Sequence, residues 1–557
     1  MFNADSFIAS RAFNDLKVLN DFGLFDDRAW KILLILNTIS GPKATGSDAN
    51  EILTVNFLLQ RANQIKVAYE NVSSIITDHQ IVSGVQFTAT HYRNVQNVVV
   101  KLQGASDGAL LVNCHFDSEV GSYGIGDDGV NCCIMLEILR VLAKSGRTNE
   151  FSIIFLFNGS EEGNLEGILA SHGFITQHKW AKNIKAFVNL EGQGIGGREF
   201  LFRSGPKHDW LVKKYRESVG TPFGQVFAEE MFETNVLSSG TDFESFRGSG
   251  NVPGLDISYC NQGWKYHTKF DHIRYMTLEP IQNTGNNMLA LIKLLANSEE
   301  LSDPPEGTKA VYFDLWGLIF ISYSAQVGLI TNIIVSVVAF AVPLVIQMYK
   351  AENKKIVIVV TFASFTTFIV GAVLSLAACF AMGLIINIVD RAMFWFNSTI
   401  LSLGVYCALA VAIQIVVNHI SCTIQNCCWQ VSKLDDKYER RLAIQAQLNG
   451  INLFWALVTV AVSAFGFRFG YVMMVMLVIS LITTLLVHLF EFALPKARKL
   501  RTLWNSASYY IIFCRPPQLG LHSLPGTHFF IPLDILLASN ILECLHPDHG
   551  ENFLIKP

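Results

Sequence analysis

The stretch FSIIFLFNGSEEG, residues 151–163, shows how the first part of this chain is built. A run of apolar and aromatic residues, typical of a buried β-strand, ends in two adjacent carboxylates, Glu161 and Glu162. Two like charges side by side are costly unless positive charge lies opposite them. Similar strands precede His115 and Glu191, and they alternate with helical segments. The pattern predicts an α/β domain with a mixed central sheet flanked by helices.

The composition changes along the 557 residues. The chain is 51% apolar with a mean hydropathy of +0.34, which is high for a soluble protein. Charges are scattered through the first part, whereas long apolar runs dominate from about Val327 onward. We therefore predict a globular domain over residues 1–310, transmembrane helices over residues 311–510 and a C-terminal tail over residues 511–557.

Charge argues against a nucleic-acid-binding protein, and cysteine content argues against a protein built on a CxxC framework or an obvious set of disulfides. The formal net charge of −4 offers no basic surface for a nucleic acid. The eleven cysteines do not form a CxxC framework, and we interpret most of them as small buried apolar residues.

Polar residues follow the apolar strands. His115 and Asp117 end the run GALLVNCHFDS, and because side chains alternate along a strand they point to the same side. A Gly-rich loop then carries Asp127, a later strand ends at Glu191, and the loop YHTKFD carries His267. In an open α/β sheet, sites form outside the carboxyl ends of the strands, so we expect these side chains to converge.

Two histidines and three carboxylates, one of them shared, suit a pair of divalent metal ions, and zinc accepts this mixture of ligands. Such ions would supply the positive charge opposite Glu161 and Glu162. Each residue alone has an ordinary interpretation: a helix N-cap for Asp127, a solvated turn for the paired glutamates, a surface or capping group for Glu191 and a core or loop histidine for His115. Their joint occurrence in this order favours the metal site.

The segments HFD, GDDG, NGSEEG, NLEG and YHTKFD resemble, in this order, the motifs of the co-catalytic zinc exopeptidase family that includes bacterial aminopeptidases and glutamate carboxypeptidase. The closer resemblance is to the endoplasmic reticulum metallopeptidase branch (Felix-ina type), which joins such a domain to a multi-span membrane region. The resemblance covers about residues 5–301, including GPKATGS near the start. It implies two Zn2+ ions and a peptide or protein substrate.

The resemblance also implies a ligand role for each residue at the strand ends. His115 and Glu191 would bind one zinc ion, Glu162 and His267 would bind the other, and Asp127 would bridge the two. Most of the family has Asp where Glu191 stands, although the endoplasmic reticulum branch is similar to this chain there.

Catalytic roles follow from the same resemblance. Glu161, adjacent to a ligand but not itself coordinated, would be the general base. Asp117 would orient His115. Tyr266 is a candidate donor to the oxyanion, and Trp264 is a candidate for lining the substrate pocket, with aromatic packing as the alternative for both.

Two further segments have open interpretations. Phe227 either lines the substrate pocket or packs in the core. The pair Thr241–Asp242 resembles a family motif that supports the metal ligands, with a solvated turn as the alternative.

Five apolar runs are long enough to cross a bilayer, which takes about 20 apolar residues. They cover residues 327–349, 356–389, 400–417, 451–467 and 471–490. The preceding segment VYFDLWGLIFISY, residues 311–323, is too short to cross, so we expect it to be interfacial or packed on the first domain. A weaker run over residues 529–545 contains Pro532 and Asp534.

The basic residues alternate between the loops and set an orientation. The loops after the first, third and fifth spans are rich in Lys and Arg, whereas those after the second and fourth carry only Arg391 and Arg468. Basic loops are cytosolic, so we expect a multi-pass membrane protein of the endoplasmic reticulum with a lumenal peptidase domain in contact with membrane lipid. The sequons at Asn71 and Asn397 fall on the lumenal side.

The amino-terminal segment MFNADSFIASRAFNDLK has no apolar core that would start translocation. We therefore expect an anchor upstream of the peptidase domain, and a carboxyl terminus that is also incomplete.

Three functions compete at this point. The first is a zinc exopeptidase, with an aminopeptidase favoured over a carboxypeptidase. The second is a membrane adaptor that keeps the peptidase-like domain without its metals. The third is an acyltransferase similar to glutaminyl cyclase, whose pattern lacks the first histidine. All five ligand positions and Glu161 are filled and His115 is present, which favours the peptidase. The oligomeric state stays open.

Overall fold

The computed structural model describes residues 42–86, 90–163, 168–237, 239–392, 394, 399–429 and 437–493. Within these ranges the chain separates into two compact units, one ending at Ala325 and the other beginning at Gln326. The predicted tail, the run 529–545 and Asn397 lie outside the described residues.

The first unit is built on a seven-stranded mixed sheet, as predicted. Its spatial order is β1-β2-β4-β3-β5-β7-β6. The central strands β4, β3, β5 and β7 are parallel to one another, whereas β1, β2 and β6 run antiparallel to the strands beside them. The strands are β1 (Ile75–Val85), β2 (His91–Leu102), β3 (Ala109–His115), β4 (Ser152–Asn158), β5 (Ile184–Gly192), β6 (Glu199–Gly205) and β7 (Gly254–Tyr259).

Within the described residues, six helices of eight or more residues accompany the sheet. They are α1 (Val55–Ala68), α2 (Val130–Ser145), α3 (Leu169–Gln177), α4 (Asp209–Ser218), α5 (Val226–Glu233) and α6 (Leu278–Leu295). All seven residues of β3 and of β4 are buried, which explains their continuous apolar character, because parallel strands are covered on both faces. One part of the core joins Leu111 and Ile154 to Phe174 of α3 and to Phe187 and Phe243.

A hairpin completes the first unit. Strands β8 (Ala310–Leu315) and β9 (Ile319–Ser324) pair with each other and not with the main sheet. Tyr312 donates a hydrogen bond to Glu229 of α5 at 3.1 Å, and Phe313 forms a bridge with Gln225. The segment expected to be interfacial or packed on the first domain is therefore a hairpin packed on the first unit, which ends at Ala325.

In the described part of the second unit, five helices are long and apolar enough to cross a membrane, in agreement with the five predicted runs. The helices are α7 (Ala325–Lys350), α8 (Lys354–Ile388), α9 (Ala408–Trp429), α10 (Lys437–Ala464) and α11 (Tyr471–Ala493), with a helical turn at Thr399–Ser402 before α9. Helix α8 has 35 residues, as its long apolar run predicted. Helix α10 begins at Lys437, well before the apolar run that starts at residue 451. The residues of its first turns are polar, so the apolar run did not include them.

The helices of the second unit pack through a shared apolar cluster. Ala339 of α7, Phe368 of α8, Trp455 of α10 and Leu477 of α11 all belong to it. A hydrogen bond of 2.9 Å from Asn332 to Ser463 also joins α7 to α10. Small and polar residues at helix contacts are typical of packing within a membrane.

Candidate metal centre

The sheet brings the predicted ligands to one edge. His115 is the last residue of β3, and Glu191 lies near the end of β5. Glu162 follows β4, and His267 lies in a loop beyond β7. Because β3, β4, β5 and β7 are parallel, their carboxyl ends meet at this edge. The convergence expected from the sequence is therefore present in the fold.

Asp127 lies between the two histidines. Its Oδ1 atom is 3.2 Å from Nε2 of His115, and its Oδ2 atom is 3.2 Å from Nε2 of His267. Each histidine also contacts a second carboxylate: Glu191 Oε2 is 3.5 Å from His115 Nε2, and Glu162 Oε1 is 2.6 Å from His267 Nε2. One carboxylate thus faces both halves of the cluster, as a bridging ligand would.

The donor atoms fit a metal ion. One set is formed by His115, Asp127 and Glu191, and a second contains Glu162 and His267; within each set the donor atoms lie within 4.8 Å of one another. Nitrogen and carboxylate oxygen together form a ligand set that suits zinc. All five predicted ligands therefore lie where two neighbouring ions could be held.

Negative charge exceeds positive charge in this cluster. Burial, together with repulsion from Asp127, raises the pKa of Glu162 to about 8. Burial lowers the pKa of His267, but hydrogen bonds to Asp127 and Glu162 outweigh it and raise the pKa to about 10. Glu162 and His267 both shift in the direction expected where positive charge is lacking, which a divalent cation would supply.

Glu161 is buried beside the ligands. Its carboxylate belongs to a set with His115 and Glu162 whose donor atoms lie within 4.8 Å of one another. Burial, followed by repulsion from Glu162 and Glu191, raises the pKa of Glu161 well above its ordinary value. A carboxyl group in such surroundings holds a proton more readily than a solvated glutamate does.

Asp117 contacts both glutamates through their backbone. Its Oδ1 accepts the N–H of Glu161 at 3.0 Å, and its Oδ2 accepts the N–H of Glu162 at 2.8 Å. The same carboxylate lies 3.5 Å from Nδ1 of His115, whereas the backbone carbonyl of Asp117 is closer to that nitrogen, at 3.2 Å. Asp117 is thus well placed to orient His115, and it also fixes the loop that carries Glu161 and Glu162.

The loop that carries Asp127 is held by Asp271. The carboxylate of Asp271 accepts backbone N–H groups from Ile125 at 3.1 Å, Gly126 at 2.6 Å and Asp127 at 3.2 Å. Lys43, which is fully buried, donates a hydrogen bond to the carbonyl of Tyr123 in the same loop. Burial lowers the pKa of Lys43 to about 8, against the opposing effect of Asp271.

Comparisons with known proteins agree with this geometry. Residues 97–292 match peptidase family M28. This part of the chain is a peptidase family M28 domain. The chain is 37% identical over 408 residues to endoplasmic reticulum metallopeptidase 1 of Mus musculus, covering 70% of this chain and 44% of that protein. It is 38% identical over 403 residues to the protein of the same name from Homo sapiens, covering 69% of this chain and 43% of that one.

These relatives confirm the resemblance to the endoplasmic reticulum metallopeptidases. The chain spans less than half the length of these relatives. A solved structure titled as the LapA aminopeptidase of Legionella pneumophila is 16% identical, with a TM-score of 0.40, over 52% of this chain and 73% of that one. A Zn-dependent exopeptidase from Parabacteroides distasonis is 15% identical, with a TM-score of 0.38, over 52% of this chain and 99% of that one.

The aromatic candidates of the M28 domain lie in different surroundings. Tyr266 stacks on the ring of the predicted ligand His267, with the ring centroids 3.7 Å apart and the planes at 21°. Trp264 packs on Phe270, with centroids 5.6 Å apart, and both rings are partly exposed. Phe227 lies in α5, whose neighbouring residue Ala228 packs in the apolar cluster of β6.

Thr241 and Asp242 form hydrogen bonds with buried polar residues of strands β3, β4 and β7. They are 5% and 0% exposed, so the alternative of a solvated turn is wrong. Asp242 accepts hydrogen bonds from Asn113 at 2.7 Å and from Asn158. Thr241 donates to Asp256 at 2.7 Å and caps the following helical turn by accepting the N–H of Phe243.

Three residues at the centre were not assigned a role from the sequence. Glu119 is partly exposed, and its carboxylate lies within 4.8 Å of the donor atoms of Glu162 and His267. The only feature of the sequence that pointed to Glu119 was its position two residues beyond Asp117. Lys43 stood in the motif GPKATGS, and Asp271 stood four residues after His267. Only the tertiary fold brings Lys43 and Asp271 to the same loop.

Proposed function

We propose that the M28 domain is a zinc-dependent exopeptidase that acts on peptides, anchored in a membrane by the helices of the second unit. The observation that carries this proposal is Asp127, which turns one carboxylate oxygen toward each of two histidines. A carboxylate with this arrangement suits two cations, and each histidine has a further carboxylate beside it. Activity, substrate and partners of the whole protein are part of the proposal.

Two zinc ions would be held by the five predicted ligands. His115 and Glu191 would bind one ion, Glu162 and His267 would bind the other, and Asp127 would be shared. Zinc in such a set polarises a carbonyl group and makes water a stronger acid.

Glu161 is the proposed general base. Its buried carboxylate would take a proton from the attacking water and return it to the amine that leaves. Asp117 would keep the backbone of Glu161 in place during both transfers, since it accepts the N–H of that residue. Tyr266, stacked on His267, stays a candidate donor to the oxyanion.

Charge favours an aminopeptidase over a carboxypeptidase. The partly exposed Glu119 adds a further carboxylate beside Glu162 and His267. An acidic rim attracts the N-terminal ammonium group of a peptide and repels its C-terminal carboxylate. We therefore propose that peptides enter with their amino terminus toward Glu119.

The location of the M28 domain is proposed to be the lumen of the endoplasmic reticulum. Lys350 is the last residue of α7, and Lys354 and Lys355 are the first residues of α8, whereas the loop after α8 carries Arg391. Loops rich in Lys and Arg are cytosolic, which supports a lumenal position for the unit before α7. The names of the mammalian relatives support the same organelle.

Metal analysis combined with a peptide panel tests the proposal. The full chain is purified in detergent, its zinc content is measured, and hydrolysis is followed on peptides with free or acetylated amino termini and with free or amidated carboxyl termini. We expect about two equivalents of zinc and release of the N-terminal residue only from peptides with a free amino terminus. Absence of zinc would favour the adaptor function, and pyroglutamate formation from N-terminal glutamine without peptide cleavage would favour the cyclase-like function.

A further inference from the structure

A continuous row of buried polar side chains crosses four strands beneath the metal centre. Asn113 of β3 pairs in register with Asn189 of β5, Asn189 pairs with Asp256 of β7, and Asp256 pairs with Arg203 of β6. We call these four residues the buried row. Asn113, Asn189 and Asp256 are 0% exposed and Arg203 is 3% exposed, so their charges and amides lie in the core. Burying such groups is costly unless they have a structural or functional use.

The position of the row follows from strand geometry. Residues two apart on a strand point to the same face, so Asn113 lies behind His115 on β3 and Asn189 lies behind Glu191 on β5. At the far end, β6 has a bulge at Phe202, because Leu201 pairs with Ile257 whereas Arg203 pairs with Asp256. The extra residue brings Arg203, and not Phe202, opposite Asp256.

Arg203 fixes the direction of every hydrogen bond in the row. Its guanidinium donates through Nε at 2.9 Å and through Nη2 at 2.7 Å to Oδ2 of Asp256. It also donates to Glu244 at 2.6 Å and lies 4.4 Å from the ring centroid of Phe232. Arginine only donates, so Asp256 is held as an ionised acceptor at the end of the row.

Asn189 then has one orientation available. It lies between two carboxylates, and its Nδ2 donates to Oδ1 of Asp256 at 2.9 Å and to Oε1 of Glu191 at 2.9 Å. Its Oδ1 accepts from Nδ2 of Asn113 at 2.6 Å. A flipped amide would place an oxygen against both carboxylates, so the chemistry of the neighbours sets the orientation of the amide.

The consequence appears at Glu191. Asn189 occupies Oε1 of Glu191, and the other oxygen, Oε2, is the one that lies 3.5 Å from Nε2 of His115. We propose that the buried row is a positioning network that presents Oε2 of Glu191 to the metal ion held with His115, and thereby sets the zinc affinity of that half of the centre. The proposal rests on the proposed function only in requiring that the centre binds zinc.

The test measures the two zinc affinities separately in the full chain in detergent. Zinc is titrated against a chelator of known affinity, and a His115→Ala variant identifies the binding step that belongs to the His115 half. Asn189→Leu keeps the approximate size of the side chain and removes its donors. Arg203→Lys keeps the charge but loses the paired donors to Asp256. Glu199→Gln is the control. Glu199 is a buried carboxylate on β6, the strand that carries Arg203, but its hydrogen bonds go to α6.

We expect Asn189→Leu to weaken zinc binding about 10–100-fold at the His115 half alone, the range typical of residues that support a metal ligand. Arg203→Lys should weaken the same step by a smaller factor, and Glu199→Gln should leave both steps unchanged even where thermal unfolding of the metal-free protein shifts. Wild-type affinity in Asn189→Leu, or an equal loss at both halves, would overturn the proposal. An effect of Asn189→Leu without any effect of Arg203→Lys would refute the row beyond Asn189. A wild-type protein that binds no zinc would refute the proposed function itself, which is a different result from any of these.

Discussion

The carboxylate of Asp117 accepts the backbone N–H of Glu162 on Oδ2, at 2.8 Å. Its other oxygen, Oδ1, accepts the backbone N–H of Glu161. Glu161 and Glu162 therefore have a second set of contacts, separate from those of their side chains with the candidate metal site. Their backbone is held by a third carboxylate, which itself lies 3.5 Å from His115. A single side chain thus connects the proposed base with one proposed ligand of each half of the centre, Glu162 and His115.

Asp117→Asn should lower kcat/KM about 10–100-fold, the range expected for a residue that supports metal ligands. The amide has one acceptor oxygen in place of two, so its NH2 group must face a backbone N–H of Glu161 or Glu162. Zinc affinity should fall as well, because Nδ1 of His115 loses a charged neighbour. The measurement is steady-state hydrolysis together with zinc titration. Asp107→Asn, at an exposed residue before the opposite end of β3, is the control, and wild-type kinetics in Asp117→Asn would contradict the role.

Glu161→Gln should retain both zinc ions and lose hydrolysis about 10²–10⁴-fold, the contribution typical of a general base. The substitution keeps the size of the side chain and removes its proton acceptor. Zinc content and turnover are measured on the same preparation.

The adjacent Glu162→Gln provides the matched comparison for Glu161→Gln, because it removes a proposed ligand by the same chemical change. It should lose zinc affinity as well as activity. Substantial hydrolysis by Glu161→Gln would exclude Glu161 as the base.

Replacing either proposed histidine ligand should lower zinc occupancy, which Glu161→Gln should leave unchanged. His115→Ala and His267→Ala should each lower zinc occupancy, because each removes a nitrogen donor from a set composed mainly of carboxylates. Occupancy is measured after dialysis against a weak chelator, with His79→Ala, an exposed histidine on β1, as the control. Two zinc equivalents bound as tightly as in wild type would show that the ligand assignment is wrong.

The sequence was most informative where the fold is repetitive. The convergence of the candidate ligands could be predicted because parallel strands bring their carboxyl ends to one edge, whatever their order in the sheet. The row from Asn113 to Arg203 could not be predicted, because it depends on strand register and on the bulge at Phe202. The contacts of Lys43 and Asp271 could not be predicted for a similar reason: they lie 80 and 144 or more residues along the chain from the loop atoms they bind.

Glu119→Gln should raise KM roughly tenfold for peptides with a free amino terminus, which corresponds to one charge-assisted contact of about 1.5 kcal/mol. The reason is the loss of a carboxylate beside Glu162 and His267 that would face the substrate ammonium group. Inhibition by an amino acid amide should weaken by the same factor, whereas inhibition by its N-acetyl derivative should not change. Equal effects on both inhibitors would remove the argument for Glu119 as the group that binds the ammonium, and Glu70→Gln at an exposed site is the control.

Glycosylation at Asn71 should report the side of the membrane on which the M28 domain lies. Asn71 is exposed in the turn between α1 and β1, so a transferase in the lumen has access to it. The chain is expressed in microsomes behind a supplied signal anchor, and the mass shift removed by a glycosidase is compared with that of Asn71→Gln and Asn397→Gln. We expect Asn71→Gln to lose one glycan and the domain to resist external protease, because the lysines at the end of α7 and the start of α8 favour a lumenal position for the preceding unit. Asn158 begins a third sequon, Asn158-Gly159-Ser160, and should carry no glycan, since it is fully buried in the folded domain. An M28 domain that stays unglycosylated at Asn71 and is digested by external protease would place it in the cytosol and overturn the orientation.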